Sequence, residues 1–138
     1  MDGEEDSSRR TIYVFIKRSL IMPMLDVLDL CDTARSAAKR MNTSVAPQAL
    51  TLFNGDFVNQ QARYLASRLR MEVGPDRASQ IKLAYRLAIA REPSAEELRD
   101  MLTFLEKEEA AAADNAPLQA LQQLARVIFN LNEFVYVD

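Results

Sequence analysis

The sequence predicts a mostly α-helical single domain of about five helices, and three observations lead to this prediction. Apolar residues recur at spacings of three and four over most of residues 43–130. Pro, Gly and capping residues interrupt this pattern at short intervals, as they do at helix ends. Only the segments 11–16 and 132–138 alternate as strands do, and a short terminal β-ribbon that pairs them is a hypothesis.

The longest periodic stretch, residues 43–70, predicts two helices joined by a tight turn, which together form the spine of the core. Its apolar residues fall into two helical sets, which are Ala46, Ala49, Leu50, Phe53 and Phe57, followed by Val58, Ala62, Leu65 and Leu69. Between the sets lies Asn54-Gly55-Asp56. We expect Gly55 to end the first helix in a left-handed conformation and Asp56 to cap the second.

Three further helices follow in the second half of the chain. The first spans about 76–91 and is apolar most of the way round, which is typical of a helix buried between neighbours. The sequence Ser94-Ala-Glu-Glu97 is a capping box that opens the next helix, and its apolar stripe is Leu98, Met101, Leu102 and Leu105. The last spans about 118–130 and carries Leu121, Leu124, Ala125 and Ile128. Residues 1–8 are acidic and predict a disordered tail, so the predicted domain is 9–138.

The composition argues against several classes of function. With no His, one Cys and three Gly, the chain lacks the commonest general base and metal ligand, a disulfide, a Cys-based zinc site and phosphate-binding loops. We therefore predict no metal and no cofactor, and an enzyme is disfavoured. The net charge of −3 and the pI of about 5.1 argue against nucleic acid as a partner.

No targeting signal or membrane span is apparent in the sequence. The first six residues are acidic where a signal peptide would be basic. Lys17, Arg18 and Pro23 interrupt the apolar patch 12–24, which is in any case too short to cross a bilayer.

Several short motifs occur in an order that resembles one known family. They are Arg9-Arg-Thr-Ile-Tyr13, Pro47-Gln-Ala-Leu-Thr-Leu-Phe-Asn54, Tyr85-Arg-Leu-Ala88 and the ending Asn130-Leu-Asn-Glu-Phe-Val-Tyr-Val-Asp138. From residue 9 to residue 138, this string of motifs is similar to the C-terminal part of the planctomycete domain-of-unknown-function family.

The resemblance implies a setting for the chain and no activity. It implies an exported, multidomain bacterial parent, which in this family often carries a cytochrome c-like haem domain, and a location in the periplasm or at the cell surface. The chain departs from the family pattern at Cys31, where a Pro is usual, and at Ala37 or Ala38, where a Cys is usual. A thiol or metal role for that loop is therefore not expected.

The candidate site is a set of polar residues that match the family pattern. They are Arg10, Asp29, Asp32, Arg40, Arg86, Arg91 and Glu133. One interpretation is a cleft in which Asp29 and Asp32, with Glu133, act on a glycosidic bond or hold Ca²⁺. The favoured interpretation is that these residues form caps and ion pairs, a task for which the arginine fork is well suited.

The aromatic residues allow two interpretations as well. Tyr13, Phe15, Tyr64, Tyr85, Phe129, Phe134 and Tyr136 could form a stacking platform, but their spacing favours core packing. The leading prediction is a non-catalytic module that packs against upstream domains or another protein, with self-association as a consequence of an exposed apolar patch. The alternatives are a carboxylate-based carbohydrate-binding or hydrolytic domain that uses Asp29 and Asp32, and a docking partner for a haem domain.

Overall fold

A computed structural model describes residues 53–112 and 115–135, together with Tyr13, Leu25, Val27, Leu50 and Thr51. The chain divides into two units, Met1–Gln48 and Ala49–Asp138. The helices with defined bounds all lie in the second unit, and they are α1 (Asp56–Val73), α2 (Arg77–Ile89), α3 (Ala95–Ala111), α4 (Ala116–Phe129) and α5 (Asn132–Val135). The prediction of a mostly helical fold with about five helices is confirmed.

Helix α4 lies at the centre of the second unit, since it contacts each of the other four helices. Its buried residues follow a helical spacing, and they are Ala120, Leu121, Leu124, Ala125 and Ile128. Helices α1 and α3 both pack on α4 and do not contact each other. The centre of the core is therefore α4, and α1, which contains the second half of the segment predicted as the spine, forms one side of it.

Capping residues set the boundaries of α2 and α3. The Asp76 side chain accepts a hydrogen bond from the Ser79 amide at 3.0 Å, which satisfies one of the open N–H groups at the start of α2. The predicted capping box is confirmed, because the Glu97 amide donates to Ser94 Oγ at 3.2 Å and the Ser94 amide donates to Glu97 Oε2 at 2.7 Å. Ala90, with φ of 56°, takes the left-handed conformation that ends α2.

Gly55 does not have the predicted conformation. It is the N-cap residue of α1, with φ of −62° and ψ of 136°, and Asp56 is the first residue of the helix. Glycine is required here by a close approach, because a Cβ atom at this position would lie 2.6 Å from the carbonyl oxygen of Thr51. The Gly55 amide donates to that oxygen at 2.9 Å, so the chain turns from one helical segment into the next without a left-handed residue.

The predicted strand at the C terminus is wrong over its described part. Residues Asn132–Val135 form the one-turn helix α5, in which the amides of Phe134 and Val135 both donate to the carbonyl of Leu131. Alternation over so few residues also fits a short helix that has one side on the core and the other in water. In the other predicted strand only Tyr13 is described, and it lies in a 3₁₀ turn. The predicted tail 1–8 lies outside the described residues.

Six residues predicted for the core are exposed instead. Leu50, Phe53, Phe57 and Tyr64 keep 60%, 44%, 38% and 56% of their surface accessible, and Tyr13 and Phe134 keep 73% and 38%. Tyr85, in contrast, is 1% exposed and lies in the core as predicted. Val58, Ala62 and Leu69 of α1 are buried, also as predicted. Helix α1 therefore has an inner aliphatic face on the core and an outer aromatic face in solvent.

Candidate functional site

The structure brings together two of the predicted site residues, Arg91 and Glu133, and adds a third, Glu97. Arg91 lies just after the left-handed residue that ends α2, so its side chain turns back toward the start of α3. Glu97 is held in place there by the capping box, and Glu133 is carried by α5. The three residues and the Tyr85 ring are called the Arg91 cluster below.

Every N–H group of the Arg91 guanidinium donates a hydrogen bond, four of them to the carboxylates of the cluster and one to the neighbouring backbone. Glu133 receives two bonds, from Nε to Oε2 at 2.7 Å and from Nη2 to Oε1 at 2.9 Å. Glu97 receives two more, from Nη1 to Oε2 at 2.9 Å and from Nη2 to Oε1 at 2.7 Å. The fifth runs from Nη1 to the carbonyl of Glu92 at 3.0 Å. A guanidinium has five such donors, so all of them are used internally.

The charges of the cluster stabilise one another. Hydrogen bonds from Arg91 and from the Ser94 amide lower the pKa of Glu97 to about 2. The hydrogen bonds from Arg91 also lower the pKa of Glu133, and both carboxylates raise the pKa of Arg91. At neutral pH the cluster is thus one cation between two anions. Neither carboxyl group is protonated, so neither is suited to act as a general acid.

The buried Tyr85 ring lies beneath the Arg91 guanidinium. The Arg91 guanidinium carbon lies 5.5 Å from the centre of the Tyr85 ring, within the range of a cation–π interaction. Burial raises the pKa of the Tyr85 hydroxyl, and the neighbouring charge of Glu97 raises it further. A neutral, buried Tyr85 therefore connects the charged cluster to the core of α2, α3 and α4.

The remaining predicted site residues do not join this cluster. Arg86 is exposed on α2 and takes no part in its ion pairs. Arg10, Asp29, Asp32 and Arg40 lie outside the described residues, so whether they converge stays a prediction. Sequence reasoning missed Glu97 as a partner of Arg91, although the capping box that holds its carboxylate was a usable signal.

A second arginine, Arg126 of α4, ties the residues that precede α1 to the core. Its Nη1 donates to Gln123 Oε1 and its Nη2 donates to the carbonyl of Phe53, both at 2.8 Å. The guanidinium carbon lies 4.5 Å from the centre of the Phe53 ring. Its Nε is buried and has no hydrogen-bond acceptor among the described residues. Sequence reasoning did not single out Arg126.

The outer face of α1 is the third feature that a partner could use. We define it by Phe57 and Tyr64, whose positions in the helical repeat lie opposite Val58, Ala62 and Leu69. Phe53 precedes the N-cap residue Gly55 and contacts Arg126 of α4, so it is not part of this face. Two further arginines, Arg63 and Arg70, lie seven residues apart on one flank of this face and are exposed. Arg68, one turn after Tyr64 on the same face, pairs with Glu72, with Nε and Oε1 2.6 Å apart.

The described residues contain neither a metal site nor a helix that could span a membrane. Over residues 53–112 and 115–135, no group of three or more His, Cys, Asp or Glu side chains is arranged to hold a metal ion. Among the helices that the structure describes, none has both the length and the apolar character needed to cross a membrane.

Comparison with known proteins identifies a family for most of the chain. Residues 1–105 match the model of a family described as PSD1, protein of unknown function (DUF1553). The match includes Arg91 and Glu97 and ends before α4 and α5. No curated protein and no solved structure matches the chain.

Proposed function

The chain belongs to the PSD1 family of proteins of unknown function, and we propose that it is a non-catalytic module that docks on another protein surface through the outer face of α1. The observation that carries this proposal is the exposure of Phe57 and Tyr64 on one side of α1, whose other side is buried at Val58, Ala62 and Leu69. Aromatic side chains are enriched at the centres of protein interfaces, and few monomeric surfaces expose several together.

The flanking charges specify the chemistry of the partner. Arg63 and Arg70 lie beside the aromatic residues, and neither is in an ion pair with another described residue. An interface typically places apolar contacts at its centre and charges at its rim. The surface that fits the outer face of α1 is therefore apolar at its centre and carries Asp or Glu side chains at its rim.

The Arg91 cluster supports the non-catalytic part of the proposal. All five donors of Arg91 are bound, and they hold both oxygens of Glu97 and of Glu133. A group that acts on a substrate needs a free donor or acceptor in reach of it. The cluster is accounted for by its structural task, which is to join the end of α2, the start of α3 and α5.

The family resemblance extends the proposal to the parent protein. The partner surface would belong to upstream domains of an exported, multidomain bacterial protein or to a second protein. That setting rests on the resemblance alone, and fractionation of cells that express the full-length parent would test it. Recovery of the parent in the cytoplasm would contradict an exported setting. The carbohydrate-binding or hydrolytic alternative depends on Asp29 and Asp32 and stays a prediction.

The test compares two variants of the whole chain that remove exposed apolar surface at different places. We expect the double variant Phe57→Ser and Tyr64→Ser to lose at least half of the binding of a hydrophobic dye and to lose self-association in sedimentation velocity. The matched control is Leu87→Ser, since Leu87 is 40% exposed on α2, close to the 38% of Phe57. Equal losses from both variants, or no loss from either, would contradict docking through the outer face of α1.

A further inference from the structure

We propose that α5 is a releasable strap, which closes over the junction of α2 and α4 through Glu133 and Phe134 and detaches while the body of α1–α4 stays folded. This inference does not depend on the outer face of α1. It rests on how differently the two carboxylates of the Arg91 cluster are held.

Few contacts hold helix α5 in place. It is one turn long and has no buried residue. A helix of this length is unstable in isolation, so its structure depends on tertiary contacts. It contacts α2 and α4, and two side chains provide identified contacts: Glu133 pairs with Arg91, and the Phe134 ring lies 5.0 Å from the Phe129 ring at a tilt of 34°.

Glu97 is anchored independently of Arg91, whereas Glu133 is not. The Glu97 carboxylate accepts from the Ser94 amide, and the Glu97 amide donates to Ser94 Oγ. The Glu133 carboxylate has Arg91 as its one donor among the described residues, and the side chain is exposed. Loss of the Glu133 pair would therefore leave three of the five Arg91 bonds intact, namely two to Glu97 and one to the Glu92 carbonyl.

Because Glu97 is anchored and Glu133 is not, the cluster has two states, which differ in whether α5 is in place. In the closed state, Glu133 covers the Nε–Nη2 edge of Arg91 and Phe134 covers Phe129. In the released state, Glu97 still holds Arg91 over Tyr85, while the Nε–Nη2 edge faces solvent. That edge presents two parallel N–H groups, the geometry that binds a carboxylate in bidentate fashion. Release of α5 would thus uncover a carboxylate-binding edge beside an aromatic ring without unfolding the body.

The experiment is amide hydrogen exchange, measured by NMR on the whole chain for Glu133→Gln and for the control Glu92→Gln. Glu92 lies beside Arg91 and offers it a backbone carbonyl, so the control changes an equal charge nearby and leaves the carboxylate pairs intact. In Glu133→Gln we expect exchange at the amides of Phe134 and Val135 to rise roughly tenfold or more. Exchange at the amides of Leu98 and Leu124, within α3 and α4, should stay within about twofold of wild type.

Three results would overturn the strap. If protection also falls in α3 and α4, α5 is an integral part of the body. If Glu92→Gln has the same effect as Glu133→Gln, the result reflects net charge. If Phe134 and Val135 are unprotected in the wild type, or unchanged in both Glu133→Gln and Phe134→Ala, there is no closed state for Glu133 and Phe134 to maintain.

Discussion

Arg91 and Arg126 each stack a guanidinium over an aromatic ring, yet the two sites differ in almost every other respect. Arg91 uses all five donors, four of them on carboxylates, above a ring that is 1% exposed. Arg126 donates to one side-chain amide and one backbone carbonyl, beside a ring that is 44% exposed. Both arginines donate charge-assisted hydrogen bonds, but Arg91 makes five, four of them to ionised carboxylates, and Arg126 makes two to neutral acceptors. The Arg91 site is therefore the firmer of the two.

The difference indicates where the fold is fixed and where it can adapt. At the Arg91 site, Glu97 and its capping box hold the guanidinium between the end of α2 and the start of α3, and Glu133 connects α5 to it. The Arg126 site holds the residues that lead into α1, and its Nε is buried without an acceptor among the described residues. Phe53 belongs to this weaker site and lies four residues before Phe57, the first residue of the outer face of α1. We therefore expect a partner to act at the start of α1, where little stabilising energy has to be given up.

The largest expected effect comes from Tyr85, and the matching substitution of Phe53, the ring beside Arg126, should have a much smaller one. Tyr85→Ala should lower the free energy of unfolding by about 3–5 kcal/mol, because it leaves a cavity under Arg91. Phe53→Ala should cost about 1 kcal/mol, since the ring is largely in solvent and loses mainly its cation–π contact. Urea unfolding followed by circular dichroism measures both. Equal costs would show that the two sites are equally part of the core.

The next largest effect on stability is expected when the guanidinium of Arg91 is replaced. Arg91→Lys keeps the charge but removes the paired N–H groups that hold both carboxylates, so the melting temperature should fall by roughly 5 °C. The matched control is Arg86→Lys in helix α2, which is outside the cluster and should change the melting temperature by less than about 1 °C. Similar shifts in the two variants would mean that any Arg→Lys change in this region lowers the melting temperature, and that the ion pairs of Arg91 contribute no specific stability.

Acid should weaken the Arg91 site selectively. In the folded chain Arg91 lowers the pKa of both Glu97 and Glu133 below the ordinary value of 4.5, to about 2 for Glu97. Their stabilisation is therefore present above about pH 4.5 and is lost as the pH falls toward 2. The difference in melting temperature between wild type and Arg91→Gln should shrink between pH 6 and pH 3.

The Arg126 site supplies the control for the acid experiment. The partners of Arg126 are an amide and a carbonyl, neither of which titrates in this range. The difference between wild type and Arg126→Gln should therefore stay constant from pH 6 to pH 3. A difference that shrinks equally for both arginines would point to a general effect of net charge.

The smallest effect is expected for Arg126→Lys. Lysine keeps a cation near the Phe53 ring and removes the buried Nε that lacks an acceptor, so the gains and losses nearly cancel. The melting temperature should stay within about 2 °C of wild type in a calorimetric scan. A fall as large as that of Arg91→Lys would contradict the comparison of a firm site with an adaptable one.

Much of the local structure could be predicted from the sequence because its signals lie within a few residues. The Ser94–Glu97 capping box and the apolar stripe of α4 both appear where the pattern places them. The pairing of Arg91 with Glu133 could not be predicted in this way, since 42 positions separate the two residues. The exposure of Tyr64 was missed because an aromatic residue at helical spacing fits a core face and an outer face equally well.

What the sequence determined by itself is where helices α2, α3 and α4 begin and end, since caps and periodicity act within one or two turns. Only the tertiary structure decided that α4 is the centre, that Phe57 and Tyr64 face solvent, and that residues 132–135 are helical. The physical reason is that burial depends on which helices meet. A stripe of apolar residues shows that a face needs a partner, but the neighbour that packs against it is chosen by the whole chain.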